Sequence, residues 1–110
     1  MFPQGAQISI LEGDPNKVGA YTIRLKMPAN YTLKPHHYLA DDHITVLSGF
    51  FNIGKGEQFD ATKGKLMPSG SFTVIQSNDP VFCWTTSETI LQITSVGPWI
   101  IQYISTEDDP

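Results

Sequence analysis

All three histidines of this 110-residue chain fall within eight positions: His36, His37 and His43. Asp41 and Asp42 lie between them and Tyr38 follows the pair. Imidazole and carboxylate are the usual protein ligands of first-row divalent metals. The same groups also make acid–base pairs. Alternation along extended chain filters the cluster. If residues 35–38 are extended, His36 and Tyr38 share a face and His37 points away. In the strand expected next, Asp42 shares its face with the apolar Ile44 and Val46, and His43 takes the other. The pattern therefore predicts His36, Tyr38 and Asp42 around one interior. There, His36 and Asp42 form either a hydrogen-bonded pair or the start of a metal site. One histidine and one aspartate fall short of the three or four protein ligands a metal usually takes.

The elements that must position these residues read as strands. Residues 21–27 alternate strictly, with Tyr21, Ile23, Leu25 and Met27 apolar and Thr22, Arg24 and Lys26 polar, the signature of a half-buried strand. Similar runs, rich in Ile, Val, Thr, Phe and Trp, occupy 6–11, 43–48, 50–53, 71–76, 81–85, 89–96 and 99–105. Breakers such as Gly13-Asp14-Pro15-Asn16, Gly54-Lys55-Gly56 and Asn78-Asp79-Pro80 separate them. A single helical turn is expected around 60–65. Regular strand–turn spacing predicts one all-β domain over 1–110, a sandwich or barrel.

Composition narrows the function classes. Net charge is −4, which disfavours a nucleic-acid partner. The longest apolar run is four residues, Val81 to Trp84, so no membrane span is expected. One cysteine excludes an intrachain disulfide. Residues 1–20 show no secretory signal. Compartment stays open: cytoplasmic, or periplasmic if a leader has been removed. Lys55, Lys63 and Lys65 read as solubility features of hairpins, since Gly-Lys-Gly lacks the glycine loop and helix start of a phosphate cradle.

The stretch Lys34-Pro35-His36-His37-Tyr38, with Asp42 and Gly49, resembles the first motif of the cupin superfamily: His-x-His, three or four residues, Glu, six residues, Gly. Gly70 to Val81 is similar to the second: Gly, five residues, Pro-x-Gly, two residues, His. Gly13-Asp14-Pro15, Val96-Gly97-Pro98-Trp99 and Asp108-Asp109-Pro110 also resemble a group of small single-domain cupins. The resemblance implies a cupin-type double-stranded β-helix, or jelly-roll barrel, of about 8–10 strands. It also implies a degenerate metal site. His36 is kept, but Tyr38 replaces the second histidine, Asp42 the glutamate and Val81 the last histidine. Gln76-Ser77-Asn78 replaces Pro-x-Gly, with Asn able to take the left-handed conformation. Similar small cupins often carry histidine where Thr94 stands. Cys83, two residues past Val81, lies on the same strand face and is either a substitute thiolate ligand or a core thiol.

Two functions follow. One is a small-molecule-binding module, probed through a pocket of His36, Tyr38, Asp42, Val81, Cys83, Gln92 and Thr94, metal-free or with a vestigial divalent metal at His36 and Asp42. The other is an iron, manganese, nickel or zinc enzyme such as a dioxygenase, isomerase or decarboxylase; a metal-free isomerase with His36 as base and Tyr38 as acid is a variant of it. A ligand-free structural dimer is the third possibility. The resemblance to small cupins, which commonly pair, implies a homodimer, and apolar residues on both faces of 99–104 would benefit from such cover.

Overall fold

The protein is described by a computed structural model covering residues 1–110. Ten strands form two antiparallel sheets of five. The first sheet runs β1 (Gln7–Glu12), β2 (Gly19–Met27), β9 (Thr89–Gly97), β4 (Asp42–Ser48) and β7 (Phe72–Ile75). The second runs β10 (Ile101–Tyr103), β3 (Thr32–Tyr38), β8 (Val81–Trp84), β5 (Phe50–Lys55) and β6 (Lys65–Pro68). Two 3-10 turns, Ala61–Lys63 and Thr106–Asp108, complete the chain.

Period-two patterning sets the core. Tyr21, Ile23, Leu25 and Met27 of β2 are all buried, and β2 pairs with β9 from Gly19↔Gly97 to Met27↔Thr89. Opposite residues share a face, so Leu91 and Ile93 join Leu25 and Ile23 inside. Each such side chain contributes about 1.5–3 kcal/mol on full burial. From the facing sheet come Leu33, Phe51, Met67, Val81 and Cys83.

Two turns fix the strands around the histidine segment. Gly49 joins β4 to β5 at φ +79°, and a Cβ there would lie 2.3 Å from Glu88 O. Asn78 takes φ 60° in the turn between β7 and β8. Its N–H donates to Tyr38 O at 2.7 Å, and Ser77 N–H donates to Asp41 Oδ1 at 2.7 Å. The turn that replaces Pro-x-Gly is thereby tied to the segment between β3 and β4.

Strand β6 has no counterpart in the sequence pattern. Lys65-Leu66-Met67-Pro68 is a short edge strand, and only Met67 is buried, too little to register as alternation. Strand β3 begins earlier than residues 35–38, at Thr32. A register irregularity between Leu33 and His36 puts both on the inner face, which three-residue spacing in a regular strand would forbid.

Candidate functional site

His36 and Tyr38 project inward from β3, and Asp42 projects inward from β4 in the opposite sheet. The His36 and Tyr38 rings meet edge-on, with centroids 5.1 Å apart. Tyr38 stacks near the Trp99 indole at 6.5 Å, and Trp99 also approaches Tyr21 of β2. Tyr103 closes the other side of His36 at 6.1 Å.

His36 Nδ1 lies 2.6 Å from Lys34 O. A carbonyl only accepts, so Nδ1 carries the proton and the neutral ring keeps its lone pair on Nε2. Burial pushes the imidazole pKa down to about 4; the Lys34 carbonyl partly offsets this. The ring is therefore neutral at pH 7.

Asp42 is 1% exposed, and neither carboxylate oxygen has a hydrogen-bond partner. Burial raises its pKa to about 7. The Ser95 hydroxyl and the Trp99 Nε1–H lie close enough to pull it part of the way back. Neither reaches hydrogen-bonding geometry: Ser95 Oγ donates to Asp41 O at 2.6 Å, and Trp99 Nε1 is itself unpartnered. Tyr21 Oη is unpartnered too, and burial followed by the Asp42 charge raises its pKa. Two donors and a carboxylate thus converge, and they account for every unpartnered buried side-chain N or O in the chain. Buried polar atoms normally have partners, so this cluster is the interior's candidate place for a polar group from outside the chain.

Some expected placements differ. His36 and Asp42 do not form a bonded pair: the histidine engages Lys34 O, and the aspartate faces Ser95 and Trp99. Burial leads both pKa shifts, His36 downward and Asp42 upward, rather than an interaction between the two. Gln92 and Thr94 do not line the interior. On β9 the inner positions are Leu91, Ile93 and Ser95, and period two sends residues 92 and 94 outward. There Gln92 Oε1 accepts from Arg24 Nε at 3.2 Å, and Thr94 Oγ1 lies 3.0 Å from Thr22 Oγ1. His37 bonds Gln102 and His43 faces Phe72, both outside.

Val81 sits in register opposite His36. Cys83 points inward against Leu33 and Ile53, and burial drives its thiol up to about 12. Tyr38 is held well above the ordinary phenol range by burial and then by Asp42. Neither supplies an anionic ligand near neutrality. No group of three or more His, Cys, Asp or Glu side chains converges anywhere in the chain. The donor set does not fit the metal that the motif resemblance implies.

Tyr21, Ser95 and Trp99 were the residues that sequence reasoning missed. The signal was present in the alternation: Tyr21 shares its face with Ile23, and Ser95 with Ile93. A hydroxyl on an otherwise apolar strand face is a buried polar group in need of a partner.

A cavity of about 490 Å³ opens between the edge strands β6 and β7. Its floor includes Val81 and Ile75, the register partners of His36 and Asp42.

No protein-family model matches the chain, and no curated protein matches it. Solved structures do. The polyketide cyclase RemF from Streptomyces resistomycificus superposes with a TM-score of 0.79 at 14% identity, over 97% of this chain and 76% of that one. An RmlC-like cupin from Shewanella frigidimarina gives 0.70 at 12% identity, over 86% and 78%. A cupin superfamily protein from Desulfitobacterium hafniense gives 0.68 at 8% identity, over 84% and 78%. At such identities the likeness establishes the fold: this is a small cupin-type, double-stranded β-helix domain. Proteins of this fold include enzymes and proteins of uncharacterised role, and shape alone does not choose between them.

Proposed function

We propose that the chain is a small-molecule-binding barrel whose interior recognises a polar ligand group without a metal. The supporting observation is the unpartnered set of Tyr21 Oη, Trp99 Nε1 and the Asp42 carboxyl. A ligand hydroxyl or carbonyl would accept from Tyr21 or Trp99, and a hydroxyl would also bond Asp42. The packed rings of Tyr38, Trp99 and Tyr103 beside this centre would contact an apolar or planar skeleton that entered it. His36 presents Nε2 as a further acceptor.

Asp42 favours a second reading. A carboxyl with a pKa of about 7 can take or give a proton near neutrality. A metal-free acid–base enzyme would use Asp42 for that transfer, with neutral His36 as acceptor.

We further propose a homodimer. Ile8 and Ile10 of the edge strand β1 are 49% and 55% exposed, and Ile100 lies exposed near the same edge. A second copy would cover them. Light scattering should give twice the chain mass, and a monomer at micromolar concentration would refute the dimer.

The binding reading is tested by a ligand-observed NMR screen of hydroxylated and keto aromatic compounds. Hits should weaken about tenfold in Tyr21→Phe or Asp42→Asn, the loss expected for a hydrogen bond to a buried or charged group. Hits indifferent to both substitutions would refute it. Turnover lost in Asp42→Asn while binding persists would select the enzyme.

A further inference from the structure

Three of the seven cationic side chains of this acidic protein border one cavity: Lys55 at the end of β5, Lys63 in the 3-10 turn and Lys65 at the start of β6. They are also the only cations from residue 55 to the C-terminus, a stretch that holds seven acids. Three lysines against the single acid Asp79 in the lining give this opening a local excess of positive charge. Asp79 offsets Lys55, with Nζ 3.6 Å from Oδ2. Lys63 and Lys65 have no ion-pair partner.

The strand periods explain the layout. Lys55 shares a face with Ile53, and Lys65 with Met67. Both faces turn toward the barrel interior, where Phe51 and Met67 are buried. The ammonium groups therefore stand at the mouth, above a floor of Ile53, Met67 and Val81. Val81, which stands where the resembled motif has its last histidine, contributes to this apolar floor.

We propose that this mouth binds an organic carboxylate, an anion carried on an apolar skeleton. The proposal rests on the binding role of the barrel interior and names the charge of its ligand. Lysines supply point charges on flexible stems. No arginine lines the cavity to offer the bidentate fork that suits phosphate. Two free ammonium groups over apolar residues match one carboxylate at the rim and a hydrocarbon or aromatic body below. A volume of about 490 Å³ falls within the range of small-molecule sites.

The test is a titration of the intact protein, followed by backbone amide shifts, with 2-naphthoate, 2-naphthamide and 2-naphthyl phosphate. Naphthoate should move the amides of Ile53, Lys65 and Thr73. It should bind about tenfold more tightly than the amide, and lose affinity as salt screens the lysines. Lys63→Gln with Lys65→Gln should weaken naphthoate about tenfold and leave the amide unchanged; both residues are exposed, so the fold persists. Equal affinity for acid and amide, no loss in the double variant, or no shifts at these strands would each overturn the proposal. Tighter binding of the phosphate than of the carboxylate would overturn the choice of anion. Naphthoate bound equally by Asp42→Asn would leave the mouth standing and defeat the internal polar centre instead.

Discussion

Val81 of β8 faces His36 of β3 in direct register. At that place the motif resemblance puts the last histidine, and here an isopropyl group faces the imidazole instead. A metal approaching His36 would lose a ligand to Val81 and meet a protonated phenol at Tyr38. Restoring the donors should restore affinity. The triple variant Tyr38→His, Asp42→Glu, Val81→His is expected to bind nickel or zinc stoichiometrically in equilibrium dialysis, while the parent protein does not. Stoichiometric metal in the parent, lost on His36→Ala, would contradict the metal-free reading.

His36 and Asp42 should tilt stability in opposite directions with pH. Asp42 has a folded pKa of about 7 against 3.8 for the ordinary carboxyl. Between those values the folded state holds a proton that the unfolded state has lost, so Asp42 makes stability fall as pH rises. His36 has a folded pKa of about 4 against 6.5. The unfolded state then binds the extra proton, so His36 makes stability rise with pH over that window. The slopes, each near ~1.4 kcal/mol per pH unit, nearly cancel between the two. Urea denaturation should show a shallow profile from pH 4.5 to 6 for the parent. Asp42→Asn should lose stability toward acid and His36→Gln should gain it. Parallel profiles for all three proteins would refute this assignment.

Above pH 7 the histidine contribution is complete and the cost of ionising Asp42 levels off. Asp42→Asn should then exceed the parent in stability by roughly 2–4 kcal/mol, reduced by whatever the unpaired amide costs. Thermal unfolding at pH 8 reads this directly, and a less stable variant would count against a strained carboxylate.

Cys83 should resist modification. Its thiol is fully buried with a pKa of about 12, and only thiolate reacts. Labelling by an aromatic disulfide reagent should proceed in guanidinium and be negligible in native protein over the same time. Rapid native labelling would place the thiol elsewhere.

Gly49→Ala should cost more than about 1 kcal/mol. The position combines a left-handed φ with backbone 2.3 Å from a would-be Cβ. A denaturation midpoint equal to that of the parent would show that the β4–β5 turn can relax.

The fold was legible because its carriers are local. Tyr21 to Met27 declare their faces by alternation, and Gly49 and Asn78 declare their turns by residue type. The resemblance to cupin motifs pointed to the same architecture and to the departures at 38, 42 and 81. Less visible was β6, whose single buried residue leaves no period to read. Gln92 and Thr94, expected at the pocket, have the opposite parity to the buried Leu91 and Ile93 and face outward.

Sequence by itself thus determined most of the strands, the all-β class and the inward faces of His36, Tyr38 and Asp42, because side-chain direction in a strand follows from position alone. Tertiary structure decided who meets whom. Only the packing of one sheet on the other could separate His36 from Asp42, and only register across β9 and the path of the chain beyond it could bring Tyr21 and Trp99 to that carboxyl. Those encounters depend on register and distance between segments far apart in the chain, which a period of two does not encode.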